Sequence, residues 1–143
     1  MNEQIASCTI AVMRDTKITS RPLIIACVDD DALVREAIEG LLRAFDYGVL
    51  TFASAEAFLE SGKLAAVDCI ITDIRLGGKS GLQLQKELIS TGHSIPTIVI
   101  TAVAGNGYRA QAMRAGAIEV LSKPISSERL LEVVETALRG RGP

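Results

Sequence analysis

Six side chains stand out by type and position. Asp29, Asp30 and Asp31 follow one another directly, and Asp73, Thr101 and Lys123 each stand alone just past an apolar run. If those runs are parallel strands, their polar ends share one edge of a sheet, the edge at which open α/β sheets bind ligands. That edge then gathers Asp29, Asp30 and Asp73 with one hydroxyl and one ammonium. Carboxylates so gathered repel; a pair ~4 Å apart costs about 4 kcal/mol at an effective dielectric near ~20. Either one carboxyl stays protonated or a hard divalent cation bridges them. An all-oxygen donor set in a small site suits Mg2+ or Mn2+ better than zinc. Lys123 is a mobile point charge for a phosphoryl oxygen or a carboxylate, and Thr101 can donate a hydrogen bond to the same group. The chemistry such a set can do is phosphoryl transfer to an Asp oxygen, giving an acyl phosphate.

The elements that must hold these residues follow from the pattern between them. A continuous apolar run over 23–28, bounded by acids, suits a strand covered on both faces. Asp31 is placed to cap a helix on which Val34, Ile38, Leu41 and Phe45 recur at helical spacing, ending at Tyr47-Gly48. A second strand spans 49–52, and Ser54 opens a short helix with Ala57 and Phe58 that stops near Gly62. A third strand over 67–72 ends at Asp73. A loop with Gly77, Gly78 and Gly81 then leads to a helix carrying Leu82, Leu84, Leu88 and Ile89 and ending at Gly92. A fourth strand over 96–100 ends at Thr101, and a helix over 108–115 is closed by Gly116. A fifth strand over 118–121 ends at Lys123-Pro124. Ser126 or Ser127 caps a last helix with Leu130, Val133, Val134, Ala137 and Leu138. Five strands alternating with five helices predict a doubly wound α/β domain: a five-stranded parallel sheet with helices on both faces. Residues 1–21 read as a flexible leader, 22–140 as the domain and 141–143 as a tail.

Composition narrows the function. The 143 residues amount to about one domain. Lys+Arg 15 against Asp+Glu 17 leaves −2, so no bulk charge favours nucleic acid or anionic lipid. With no Trp, 2 Tyr and 3 Phe, base-stacking surfaces are scarce. No apolar run approaches the ~20 residues of a membrane span, and the start lacks a secretory pattern. Cys8, Cys27 and Cys69 have no metal-site spacing and read as buried thiols in a reducing compartment, which places the chain in the cytoplasm. His93, the single histidine, has no base-orienting neighbour and reads as exposed and inert. Val120 and Met113 read as packing residues; Arg109 and Arg114 read as a surface face or part of a partner site.

Five pieces, in order and each tied to a strand end, resemble the receiver domain of two-component response regulators. They are Val28-Asp29-Asp30-Asp31, Thr72-Asp73-Ile74-Arg75-Leu76 with Gly81, Val99-Ile100-Thr101-Ala102, Ala115-Gly116-Ala117 and Leu121-Ser122-Lys123-Pro124. The resemblance covers about 23–139 and implies a flavodoxin-like strand order 2-1-3-4-5. It implies that Asp73 is the phosphoacceptor and that Asp30 and Asp73 ligate Mg2+ directly, with Asp29 acting through water and the Arg75 carbonyl as a further ligand. It implies that Thr101, Lys123 and the Ala102 N–H grip the phosphoryl group, and that the Lys123–Pro124 peptide is cis. The implied donor is a phosphohistidine on a sensor histidine kinase or a histidine phosphotransfer protein. The implied output is contact with a downstream protein, through the fourth helix, fifth strand and fifth helix, with homodimerisation on phosphorylation as one form of it. The implied module is a phosphoacceptor and not a turnover enzyme.

The chain departs from the family pattern at three places. Val120 stands where Tyr or Phe is usual, so the aromatic rotamer switch coupled to Thr101 is missing. Gly77 replaces the usual Pro four residues past the phosphoacceptor and Gly78 follows it, so a looser loop is expected; Lys79 stands where an apolar residue is common. Other readings are an unphosphorylated receiver-like interaction module and the receiver part of a LuxR-like transcription regulator without its DNA-binding domain. A phosphatase resembling the haloacid-dehalogenase class, through Asp29-x-Asp31, leaves Asp73 unexplained. No DNA contact is expected from this chain, because no helix-turn-helix follows the domain.

Overall fold

The computed structural model describes residues 22–102 and 107–139. The expected leader and tail, with Cys8, lie outside them. Strand β1 (Ile24–Val28) leads to helix α1 (Ala32–Ala44), β2 (Gly48–Phe52) and α2 (Ala55–Leu59). A 3-10 turn (Leu64–Ala66) precedes β3 (Cys69–Asp73), followed by α3 (Gly81–Ser90) and β4 (Thr97–Thr101). Helix α4 (Tyr108–Arg114), β5 (Glu119–Ser122) and α5 (Ser127–Arg139) complete the order. All strand pairs are parallel and the sheet runs β2-β1-β3-β4-β5, the order that the resemblance implied.

The unalternating apolar strands are explained by helices on both faces. On one side Ile38 and Leu42 of α1 and Leu130, Val133 and Val134 of α5 pack on Ile25, Cys27, Ile71 and Ile100. On the other, Phe58 of α2 and Leu84 and Leu88 of α3 pack on Ala26, Val28 and Ile70, while Ala112 of α4 meets Ile74 and Val99. Successive residues of the central strands therefore alternate between two dry interfaces, which is why their middle positions are apolar.

Local signals set the boundaries. Asp31 accepts from Leu33 N at the start of α1, Ser54 accepts from Ala57 N at α2, and Ser126 accepts from Arg129 N at α5. Three apolar assignments need correction. Phe45 is 56% exposed, because α1 stops at Ala44 and the left-handed turn at Asp46 (φ 69°) delivers Tyr47 to the core instead. Ile89 and Met113 face outward, since Leu84 and Leu88 carry the inner face of α3 and Ala112 is the buried residue of the short α4. The third strand starts at Cys69 and not at 67, because buried Asp68 is used as a polar tie: its Oδ2 accepts from Ile24 N at 2.8 Å.

The edge strand β2 has a guard. Gly48 N and Phe52 O are bonded toward the β1 side, so Val49 turns its backbone outward. The Arg43 guanidinium donates to Val49 O at 2.9 Å and to Glu39 Oε2 at 2.9 Å. No helix among the described residues is long and apolar enough to cross a membrane.

Candidate functional site

Register brings the acids together. Val28 of β1 is paired with Thr72 of β3, so the next residue on each strand, Asp29 and Asp73, emerges side by side at the carboxyl edge. The three consecutive acids then divide. Asp29 is buried, and its Oδ1 accepts from Asp31 N at 2.9 Å. Asp30 is exposed at the mouth of the site, and Asp31 caps α1. Arg35 of α1 donates to the Asp29 carbonyl at 2.6 Å and so braces this turn, a role its sequence position did not suggest.

Asp73 is held at both oxygens. Its Oδ1 accepts from Arg75 N at 3.0 Å, and its Oδ2 accepts from the Lys123 ammonium at 2.6 Å. The same ammonium lies 3.2 Å from Asp29 Oδ2. The Lys123 backbone N–H donates to Thr101 O at 2.8 Å, and the peptide from Lys123 to Pro124 is cis. Thr101 is buried at the end of β4, one residue past Ile100, which is paired with Asp73. Ala102 is exposed just beyond it. Asp30, Arg75, Leu82 and Tyr108 line a cleft of about 430 Å³ beside the acids.

Carboxylate oxygens of Asp29, Asp30 and Asp73 all lie within 4.8 Å of one another. Three carboxylates against one ammonium leave a formal surplus of two negative charges. Buried Asp29 Oδ2 has the Lys123 ammonium beside it and no well-aligned hydrogen bond. Burial, reinforced by the charge of Asp73, pushes the Asp29 carboxyl above the usual range. Partial burial works against the Lys123 ammonium, yet its hydrogen bond to Asp73 and the charges of Asp73 and Asp29 carry it above an ordinary lysine. This all-oxygen, over-negative cluster fits a hard divalent cation. Cys27, behind the site, is pushed up to about 12, chiefly by burial, and is no nucleophile. His93 is half-buried, not exposed, and its Nδ1 lies 3.1 Å from Thr91 Oγ1, away from the acids.

The loop after Asp73 is closed by backbone and side-chain hydrogen bonds. Gly81 N donates to Ile74 O at 3.0 Å, and Ser80 and Gln83 form a capping box at the start of α3. A Cβ on Gly81 would overlap the Asp73 carbonyl oxygen, so the chain can pass under Asp73 only with glycine there. Glu56 of α2 reaches across, and its Oε2 accepts from Lys79 N at 2.9 Å. That backbone hydrogen bond holds the Glu56 carboxyl below its ordinary range. At β5, Arg109 donates to the Val120 carbonyl at 3.2 Å and pairs with Glu119 at 2.7 Å, so α4 is tied to the strand position that lacks the aromatic residue.

The chain is similar to known proteins. A family model described as the response regulator receiver domain matches residues 25–135. The response regulator protein TmoT of Ectopseudomonas mendocina is 39% identical over 116 residues, covering 81% of this chain and 53% of the relative. The transcriptional regulatory protein TdiR of Thauera aromatica is 36% identical over 126 residues, covering 88% and 55%. The chain thus spans about half the length of these curated relatives. Among solved structures, FixJ-N is 30% identical with a TM-score of 0.75, covering 84% of this chain and 96% of that one.

Proposed function

The chain belongs to the response regulator receiver domain family, and on that premise we propose that it is a Mg2+-dependent phosphoacceptor taking a phosphoryl group on Asp73 from a phosphohistidine. The observation that carries the proposal is the convergence of Asp29, Asp30 and Asp73 on the Lys123 ammonium at one sheet edge. An Asp73 carboxylate oxygen attacks phosphorus. The new O–P bond forms as the N–P bond of the donor breaks, and the electron pair returns to the imidazole nitrogen, which takes up a proton. Lys123, Thr101 and the Ala102 N–H receive the phosphoryl oxygens. Asp30, Asp73 and the Arg75 carbonyl would hold the cation, with Asp29 acting through water, and the bound cation would supply charge neutralisation to the transferring group. Mn2+ would serve in its place.

The donor is a sensor histidine kinase or a histidine phosphotransfer protein, in the cytoplasm. The buried thiol of Cys27 fits a reducing compartment. Output is contact with another protein, including a second copy of the chain once phosphorylated. A second reading, the receiver portion of a transcription regulator, is favoured by the similarity to TdiR and by the half-length match. The test is incubation with acetyl phosphate and Mg2+ followed by intact mass. One phosphoryl adduct is expected on the wild type, and none on Asp73→Ala or without metal. No adduct on the wild type, with a kinase donor as well, retires the proposal in favour of an unphosphorylated interaction module.

A further inference from the structure

The loop carrying Arg75 lacks the family's proline, yet it is held. Glu56, in the first turn of α2, places its carboxylate against the loop 22 and 23 residues further along the chain. There Oε2 accepts from Lys79 N at 2.9 Å. Gly78 is what lets it in: a Cβ at this position would overlap Glu56 Oε2 and lie 2.8 Å from its Cδ. Lys79 is fixed from the other side as well, its ammonium 3.1 Å from Glu87 Oε1 on α3. Gly78 and the Lys79 N–H therefore form a seat for an acid from a neighbouring helix.

We propose that Glu56 is a positioning residue for the phosphoacceptor site. Through Lys79 N it fixes the loop 74–80 and with it the Arg75 backbone. This rests on the reading of Asp73, Asp30 and the Arg75 carbonyl as the cation site. A carboxylate accepting from a backbone N–H makes a charge-assisted bond, stronger than a neutral one. Partners that orient ligands from behind typically change metal affinity by about 10–100-fold when removed. Gly78 and Glu56 act as one device, so their substitutions must be non-additive.

The experiment uses 15N-labelled full chain, with Lys79 amide exchange read in metal-free protein and Mg2+ affinity read from shift titration. Glu56→Ala is expected to speed Lys79 exchange and to weaken Mg2+ binding roughly tenfold. Glu56→Gln keeps an oxygen acceptor and is expected to recover most of both. Gly78→Ala, which displaces the carboxylate, is expected to resemble Glu56→Ala, and to add nothing further when combined with it. If Glu56→Ala leaves Lys79 exchange and Mg2+ affinity within about twofold of wild type, or if the two substitutions are additive, the proposal is overturned. If Glu56→Ala does not fold, Glu56→Gln and Gly78→Ala carry the same comparison. Failure of Asp73 to take a phosphoryl group would retire the function proposed above but leave these amide and metal measurements standing. A wild type without Mg2+-induced shifts would overturn both.

Discussion

The Lys123 ammonium donates to Asp73 Oδ2 at 2.6 Å although 50 residues separate the two in the chain. The bond holds the acceptor carboxylate at the sheet edge, and it offsets a charge that would otherwise repel buried Asp29. The same contact gives Lys123 a stabilising part beside the role proposed for it at the site.

Lys123→Met removes the ammonium and leaves three crowded carboxylates, two of them, Asp29 and Asp73, stripped of their ion-pair partner. A buried pair broken on one side costs roughly 3–5 kcal/mol, and since Lys123 keeps 20% side-chain exposure a loss of about 2–3 kcal/mol is expected. Denaturant titration without metal measures it. The deficit should shrink as pH falls, because a protonated Asp29 no longer needs a cation beside it. In the wild type the Lys123 contribution is complete below the ordinary lysine range and is lost as pH rises through its elevated folded value.

Asp29→Asn tests the opposite sign. The folded state raises the Asp29 carboxyl, so the native protein binds more protons than the unfolded chain between the ordinary and the raised value. Stability from this group therefore falls as pH rises through that window. The amide variant is expected to have the higher metal-free melting temperature near neutral pH, with the difference vanishing in acid. Melting curves from pH 3 to 8 check this; a lower melting temperature throughout would contradict it.

Asp30→Asn separates metal binding from folding. Asp30 is exposed, so its removal should shift metal-free stability by no more than about 0.5 kcal/mol. Rise of the melting temperature on adding Mg2+ should be largely abolished, because a ligand stabilises only in proportion to its binding to the native state.

Gly81→Ala drives a Cβ into the Asp73 carbonyl oxygen and to within 3.1 Å of Ile74 Cα, both backbone atoms without freedom to yield. A loss of about 2–3 kcal/mol is expected, of the size seen for overpacked interiors. The denaturant midpoint should fall at constant slope.

Much of this was legible in the residues. Leu23 to Val28 and Cys69 to Thr72 carry the unbroken apolar runs that two-faced burial requires, and Asp31, Ser54 and Ser126 carry their capping functions locally. Asp29, Asp73 and Lys123 follow from strand ends once the sheet is parallel. Phe45 misled because helical spacing continued past the point where Asp46 turns the chain. Arg35 and Glu56 were illegible for a different reason: each acts on backbone, Asp29 O and Lys79 N, and backbone partners leave no pattern of side-chain types. Gly77-Gly78 signalled a departure, but the meaning of Gly78 lay in an acid on another helix.

The Arg43 contact with Val49 O bears on the chain's behaviour in a crowded solution. An edge strand with open carbonyls is a template on which a passing chain can crystallise into a longer sheet, and a long cationic side chain laid across it obstructs that growth. Arg43→Ala should leave the fold intact yet lower the concentration at which the protein stays dispersed. A residue of no consequence to phosphoryl chemistry would then govern how much of the molecule can be present at all.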